Sequence, residues 1–191
     1  MMIKLYVLGF VGNLGTKVLI EEKQDELLKQ FNQEFITHIN NQIEESLSKD
    51  GFNPSLIMSS CEEVVDYEQI GKGGILTALW KLCDRNKWGL KFSLRKIPIL
   101  QGTIEIANYF DLNPYRLLTD NAFIIACEFV GADIIRPQCR GEVYEPFYEI
   151  GDITNERKRV RIDGETEAFL TKDYKDEVDK VIPNYTKNKG A

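Results

Sequence analysis

The sequence is short of the residues from which most metal sites and nucleophilic sites are built. Among its 191 residues there is one histidine, His38, which lies among polar residues and is expected to be exposed. The four cysteines, Cys61, Cys83, Cys127 and Cys139, follow no CxxC spacing. A zinc site or a Ser-His-Asp or Cys-His mechanism therefore has little support. We assign no catalytic residue, no metal site and no cofactor.

Long apolar runs and an excess of basic residues are also missing. No window reaches the roughly 18 apolar residues of a membrane helix. The 30 Asp and Glu residues outnumber the 24 Lys and Arg residues, which gives a formal net charge of −6. This charge argues against nucleic acid or an anionic membrane surface as a partner. The first residues lack the length and cleavage pattern of a signal peptide, so we expect a cytoplasmic protein.

The cysteines are better explained by packing than by reactivity. Cys83 and Cys127 lie in apolar runs, and we predict that both are buried free thiols. Cys61 precedes Glu62 and Glu63, whose negative charges raise a thiol pKa and disfavour a reactive thiolate. The hydrophobic fraction of 43% allows one sizeable core without a disulfide framework.

The hydrophobic pattern predicts an α+β domain in which one mixed sheet is covered by helices, an α/β sandwich. Runs rich in β-branched and aromatic residues predict strands at 3–11, 64–65, 91–97 and 122–129 and a hairpin at 160–170. Helical periodicity predicts helices at 16–31, 33–49, 74–86, 101–110 and 172–182. The helix at 74–86 has apolar residues on most sides and is expected to be the most buried.

Other stretches are assigned by their helix breakers and their polarity. Pro137, Gly141 and Pro146 predict that residues 130–150 are irregular. Residues 1–183 are assigned to one domain, and the polar residues 184–191 to a flexible tail.

The most informative local pattern is the turn Gly71-Lys72-Gly73-Gly74, which runs directly into an apolar helix. Free N–H groups at a helix start can bind an anion, and Lys72 adds a positive charge there. We therefore take these four residues as candidate ligand-binding residues. The alternative is a tight turn that lets the helix pack closely against a strand. The sequence leaves both explanations open.

Three further patterns have simpler explanations. The glycines within 9–16 form a second strand-to-helix turn, but no Gly-Lys-Ser/Thr follows, so we interpret it as structural. The acidic residues within 62–68 could hold Mg²⁺, but such clusters are common on surface loops. The basic run at 157–161 is expected to be a solvated hairpin.

Several motifs occur in a distinctive order. They are Gly-Gly-Ile-Leu-Thr-Ala-Leu at 73–79, Trp-Gly-Leu-Lys-Phe at 88–92, Lys-Ile-Pro-Ile at 96–99, the segment 104–118, and Ile-Gly-Asp-Ile at 150–153. In order and spacing they resemble the C-terminal domain of the aminoimidazole ribonucleotide (AIR) synthase superfamily, the PurM-like proteins. This superfamily includes selenophosphate synthetase, thiamine monophosphate kinase and the hydrogenase expression/formation protein. Residues 9–20 resemble the hydrogenase-maturation branch in particular.

The resemblance covers most of residues 3–182 and implies the fold of that domain. The N-terminal domain of the family, which supplies the Mg²⁺-binding aspartates and most of the ATP site, is expected to be absent from this chain. In the family the matching glycines face phosphate groups at the cleft between the two domains. The resemblance therefore implies a small phosphate-bearing ligand at residues 71–74.

The chain departs from the family pattern at three places within residues 67–146, and its last residues, Lys-Gly-Ala at 189–191, stand where the hydrogenase branch ends in a reactive cysteine tail. Residues 67–72 read Tyr-Glu-Gln-Ile-Gly-Lys where the family often has His-Asp followed by Ser or Thr. Thr119-Asp120-Asn121 replaces a Ser-x-Gly. Residues 130–146, where the family usually has a helix, contain Pro137 and Pro146. Each departure lowers the odds that an inherited activity is retained.

The sequence is compatible with three functions. Only one of them is enzymatic, so the sequence does not decide whether the chain is an enzyme. The first is a stand-alone, non-catalytic relative that binds a small anionic ligand or a protein partner, with a link to hydrogenase maturation implied by the resemblance. The second is one subunit of a split ATP-dependent synthetase, completed by a separate ATP-binding chain. The third is a structural module that forms a homodimer through the surface left bare by the absent domain.

Overall fold

The computed structural model describes residues 2–48, 56, 61–138, 146–172 and 174–188. The strands in this part of the chain are β1 (Ile3–Leu8), β2 (Val64–Gln69), β3 (Gly89–Ser93), β4 (Phe123–Glu128), β5 (Phe147–Thr154), β6 (Arg159–Asp163) and β7 (Thr166–Phe169). They form one sheet in the order β2-β4-β1-β5-β3-β6-β7. Neighbours are antiparallel except for β3 and β6, which are parallel. The prediction of one mixed sheet is confirmed.

The described helices are α1 (Asn13–Glu22), α2 (Gln24–Leu27), α3 (Gln33–Leu47), α4 (Gly74–Asn86), α5 (Gln101–Tyr109), α6 (Phe129–Gln138), α7 (Val178–Val181) and α8 (Tyr185–Asn188). Short 3₁₀ turns occur at Leu94–Lys96 and Pro114–Arg116. None of the described helices is long and apolar enough to cross a membrane.

Helix α4 covers one face of the sheet. Its Ile75, Leu76, Leu79 and Leu82 have no exposed surface, and they pack against inward side chains of β1, β3, β4 and β5. Burying an aliphatic side chain of this size contributes about 1.5–3 kcal/mol to folding. Its apolar residues are buried as predicted, but it is not the most buried of the described helices, since seven of its 13 residues are buried against six of ten in α1. The packing of α4 fixes the position of the turn at residues 71–74 relative to the sheet.

The other elements complete two smaller apolar clusters. On the opposite face of the sheet, Tyr6 stacks on Phe147 with ring centroids 4.9 Å apart, and α6 contributes Ala132 and Ile135. Helices α1, α3 and α5 pack together in a separate helical layer. Val178 of α7 is buried in that layer, so the C-terminal part of the chain is anchored to it.

Two predictions about strand ends were wrong. The strand expected at 91–97 begins at Gly89 and ends at Ser93. Gly89 is the first residue of this strand, and glycine is required there because a Cβ would overlap the carbonyl oxygen of Glu156. After Ser93 the chain tightens into a 3₁₀ turn, in which the Ile97 N–H donates to the Leu94 carbonyl at 3.1 Å.

The prediction that residues 130–150 are irregular was also wrong for two elements. Helix α6 occupies 129–138, and Pro137 is its second-last residue, so the proline removes one i→i−4 hydrogen bond and the helix ends directly after it. The helix that we expected the prolines to prevent is therefore present. Strand β5 begins at Phe147 and lies between β1 and β3 in the sheet. Gly141, Cys139 and the other residues at 139–145 lie outside the described part.

The C-terminal residues make more contacts than a polar tail suggests. Tyr185–Asn188 forms a short helix, and Thr186 within it is buried. Its backbone N–H donates to Asp179 Oδ1 at 2.9 Å. The boundary at residue 183 stays a prediction, and residues 189–191 lie outside the described part.

Candidate functional site

Two strand-to-helix turns of this fold have the same construction. Gly12 (φ +81°) precedes α1, and Gly73 (φ +77°) precedes α4. In each helix the threonine four residues later, Thr16 or Thr77, donates its hydroxyl to the glycine carbonyl, at 2.8 and 3.0 Å. Strands β1 and β2 flank β4 and are both antiparallel to it, so the two turns leave the sheet at the same end.

The four candidate residues at 71–74 fall into two pairs. Gly73 and Gly74 both have positive φ, and a Cβ on Gly74 would overlap the backbone of Tyr115 and Arg116. Glycine is therefore required at these two positions by the turn itself. A Cβ on Gly71 would meet no heavy atom within 4 Å, and Lys72 is exposed. The first pair shapes the turn, and the second pair is open to a ligand.

The N–H of Gly73 is bound by a carboxylate of the same chain. Asp176 Oδ2 accepts from Gly73 N at 2.7 Å, and its Oδ1 accepts from Leu118 N at 3.2 Å and Val178 N at 3.0 Å. Asp176 is only 2% exposed, and this burial raises its pKa above the usual value although the three N–H bonds act in the opposite direction. Nothing in the sequence connects Asp176 with the turn a hundred residues earlier.

A second buried carboxylate, Glu177, binds residues 113–116, which contain a 3₁₀ turn. Its Oε1 lies 3.1 Å from Arg116 Nη1, and its Oε2 accepts from Asn113 N at 3.2 Å and contacts Lys180 Nζ at 2.5 Å. The side chain has no exposed surface. Residues 174–188, which we call the C-terminal segment, are thus docked by Asp176 against the start of α4 and by Glu177 against residues 113–116.

A cleft of about 630 Å³ lies between α4 and the C-terminal segment. Six basic side chains line it, namely Lys72, Lys81, Arg116, Lys175, Lys180 and Lys187. Its acidic lining residues are Asp176 and Asp179. We call this site the cationic cleft, since its positive lining contrasts with the net charge of −6 of the whole chain. Its volume is within the range of about 300–1,000 Å³ that is typical of small-molecule sites.

Some of the basic side chains in the cationic cleft have a carboxylate partner, and others have none. Arg116 and Lys180 both bind Glu177, and Lys72 Nζ donates to the neutral carbonyl of Thr186 at 3.3 Å. Of the exposed lysines that line the cleft, Lys81, Lys175 and Lys187 have no ion pair or side-chain hydrogen bond with the described part of the chain. Lys72 belongs to the site predicted from the sequence, whereas these three lysines lie outside it.

The acidic residues at 62–68 form ion pairs instead of a metal site. Arg85 of α4 binds Asp66 at 2.9 Å and Glu68 at 2.7 Å. Burial raises the pKa of Asp66, but hydrogen bonds from Arg85 and Asn86 outweigh it and lower the pKa below its usual value. Among the residues that the structure describes, no cluster of His, Cys, Asp and Glu is suited to holding a metal ion.

The basic run at 157–161 is only partly solvated. Arg159 lies over the ring of Trp80, 4.0 Å from its centroid, and its Nη2 is 3.3 Å from Asp84 Oδ1. Its side chain is 13% exposed, so the expectation of a fully solvated run was wrong for this residue. It braces the hairpin against α4.

The predictions for the cysteines and His38 are confirmed. Cys61, Cys83 and Cys127 are buried free thiols, and His38 is exposed. Burial raises the pKa of Cys83 and Cys127 to about 12. Burial and a hydrogen bond to Glu63 also raise the pKa of Cys61. These thiols are therefore poor nucleophiles at neutral pH.

No protein-family model and no curated protein matches the chain. Solved structures do match it. Escherichia coli HypE, a hydrogenase maturation protein, is 12% identical with a TM-score of 0.68, and the match covers 92% of this chain and 51% of that one. HypE in complex with ATP is 12% identical with a TM-score of 0.66, covering 89% and 50%. Thiamine-monophosphate kinase from Stenotrophomonas maltophilia K279a is 12% identical with a TM-score of 0.63, covering 87% and 51%.

At this level of identity the matches show the fold. The chain has the α+β fold that HypE and thiamine-monophosphate kinase share, and it spans about half the length of the solved chains that it matches. A match to half of each chain agrees with the resemblance to the C-terminal domain of the PurM-like, AIR synthase superfamily. The predicted fold is therefore confirmed.

Proposed function

We propose that this chain binds a small phosphate-bearing ligand in the cationic cleft. The observation that carries this proposal is the group of lysines whose charge is not balanced by a carboxylate, namely Lys72, Lys81, Lys175 and Lys187. Like charges gathered in one concave site repel one another, and a bound anion removes that repulsion.

Of the turn at residues 71–74, only Lys72 lines the cationic cleft. Gly73 and Gly74 give the turn its shape, while Gly71 and Lys72 lie on its open side. Because Asp176 already accepts from Gly73 N–H, the ligand is held by lysine side chains rather than by that backbone group. On this proposal the chain is a binding protein, and no residue is assigned a catalytic role.

A titration with inorganic phosphate at low ionic strength tests the proposal. We expect Lys72→Ala to weaken phosphate binding severalfold without unfolding the protein, because Lys72 is exposed and its removal costs only one part-buried hydrogen bond, to the Thr186 carbonyl. Lys29→Ala is the matched control, since Lys29 is also exposed and lies outside the cleft. Unchanged affinity in Lys72→Ala would reject this residue as a contact.

A second candidate is the split ATP-dependent synthetase. The observation that favours it is the match to about half of a HypE chain that was solved in complex with ATP. A pull-down that recovers a domain-sized chain of about 150 residues with paired aspartates would support it. Calorimetry with ATP and Mg²⁺ tests the isolated chain. Micromolar affinity there would contradict the expectation that the ATP site is incomplete without a partner.

The remaining expectations are separate predictions. These are a homodimer, a cytoplasmic location and a link to hydrogenase maturation. The fold is compatible with each of them and tests none. Light scattering tests the first of these. A monomer at tens of micromolar would count against the structural module that forms a homodimer.

A further inference from the structure

We propose that the ligand of the cationic cleft carries two or more linked phosphate groups and is bound directly by lysines, without Mg²⁺. This inference rests on the proposed function and specifies its ligand class. It is carried by the number of unbalanced cations, their distribution over two sides of the cleft, and the state of the cleft's carboxylates.

The positive charge of the cleft is larger than the negative charge of one phosphate group. Four lysines, Lys72, Lys81, Lys175 and Lys187, have no carboxylate partner within the described part of the chain. One phosphate monoester carries a charge of about −1.5 to −2 near neutral pH. Counting all six basic side chains against Asp176, Asp179 and Glu177 leaves a formal charge of +3, which one phosphate group does not neutralise but two linked groups do.

The lysines also approach from opposite sides. Lys72 and Lys81 belong to the turn and to the second helical turn of α4, while Lys175 and Lys187 belong to the C-terminal segment. From Gly74 to Lys81 the helix rises about 10 Å, at 1.5 Å per residue. A chain of linked phosphates can follow α4 over this distance and contact the C-terminal segment along its length, whereas a single phosphate occupies one end.

The carboxylates of the cleft are already engaged. Asp176 accepts three backbone N–H groups, and Asp179 accepts from the N–H and the hydroxyl of Thr186. Protein-bound Mg²⁺ usually takes one or two carboxylates in addition to phosphate oxygens. Such ligands are not available in the described part of this cleft, and a bound Mg²⁺ would add positive charge beside the lysines. Mg²⁺ is therefore expected to compete with the protein for the ligand.

Calorimetric titrations with phosphate, pyrophosphate and tripolyphosphate test this inference. In low-salt buffer with EDTA, we expect tripolyphosphate to bind at least tenfold more tightly than phosphate, with pyrophosphate between them. Lys81→Ala and Lys187→Ala, one from each side of the cleft, should each weaken tripolyphosphate binding severalfold. Lys29→Ala should leave the affinity unchanged, and excess Mg²⁺ should weaken binding.

Each contrary result has a distinct meaning. If phosphate binds and the longer chains bind no more tightly, the ligand class is wrong while the proposed function stands. If none of the three anions binds, the proposed function fails as well. Tripolyphosphate binding that is unaffected by the cleft variants, or that requires Mg²⁺, would overturn direct recognition by these lysines.

Discussion

The two glycine turns share a backbone conformation but are closed by different groups. At the start of α1, the Gly12 N–H donates to the hydroxyl of Thr119 at 2.8 Å, and both Asn13 and Thr16 are fully buried. At the start of α4, the Gly73 N–H donates to the carboxylate of Asp176, and the neighbouring Lys72 is exposed. One turn is sealed inside the protein, while the other borders the cationic cleft.

This difference shows why glycine spacing alone does not identify a ligand site. Both turns contain glycines with positive φ and a threonine that binds the glycine carbonyl. What distinguishes them is the distant residue that accepts the hydrogen bond from the glycine N–H, Thr119 in one turn and Asp176 in the other. A neutral hydroxyl suffices in the sealed turn, whereas a carboxylate is favoured beside a helix start that lies among lysines.

The largest expected effect is the loss of stability when a required glycine gains a side chain. Gly74→Ala in one turn and Gly9→Ala in the other should each cost about 3 kcal/mol, from strain at positive φ and overlap with a neighbouring backbone. Gly71→Ala should change the unfolding free energy by less than about 1 kcal/mol, because its Cβ meets open space. Urea unfolding measures all three. A large loss for Gly71→Ala would show that the open side of the turn is packed after all.

The next effect separates the two capping groups. Asp176→Ala leaves the N–H groups of Gly73, Leu118 and Val178 without their acceptor and should cost about 3 kcal/mol. Thr119→Val removes the acceptor of one N–H, that of Gly12, and should cost about 1–2 kcal/mol. Urea unfolding at pH 7 gives both values. Equal losses of unfolding free energy would contradict the view that the carboxylate stabilises its turn more than the hydroxyl stabilises the other.

A smaller effect should appear in the pH dependence of stability. Burial raises the folded-state pKa of Asp176 above 3.8. The folded state then binds a proton more readily than the unfolded chain, so this group's contribution to stability is largest below 3.8 and falls as the pH rises through the folded-state pKa. The unfolding free energy of the wild type relative to Asp176→Asn should therefore decrease over that window, while the difference from Thr119→Val stays flat. If the unfolding free energy of the wild type relative to Asp176→Asn instead increased with pH, the folded-state pKa of Asp176 would be lowered and not raised.

The smallest effect concerns the two threonines. Thr16 is fully buried and also bonds to Thr103 Oγ1 at 3.1 Å, so Thr16→Val should cost about 1 kcal/mol. Thr77 is partly exposed, and Thr77→Val should cost about 0.5 kcal/mol, because water can replace its bond. Thermal unfolding of the two variants compares them. A greater loss for Thr77→Val would contradict the distinction between a sealed turn and an open one.

Strongly patterned elements could be predicted from the sequence. The apolar run at 122–129 predicted strand β4, and the pattern at 160–170 predicted the hairpin of β6 and β7, which turns at Gly164 with φ +61°. Strand β5 was missed because Tyr148, Glu149 and Asp152 interrupt its apolar positions. Helix α6 was missed because too much weight was placed on Pro137, which lies in the last turn.

The candidate site could be predicted only in part. The turn at residues 71–74 was visible because its glycines and lysine are consecutive. Lys81 could have been noticed from the spacing of Thr77 and Lys81, which places both on one face of α4. Lys175 and Lys187 lie about a hundred residues later and reach the cleft only because Asp176 and Glu177 dock the C-terminal segment there. Local sequence contains no signal for a contact of that kind.

A phosphate titration followed by ¹H–¹⁵N NMR of the whole chain tests the central claim most directly. If the cationic cleft is the anion site, amide shifts should change at residues 71–74, along α4 to Lys81 and in the C-terminal segment. The sealed turn at Gly9 to Thr16 should stay unchanged. Shifts that are confined to the sealed turn, or the absence of any localised shift at millimolar phosphate, would contradict the claim.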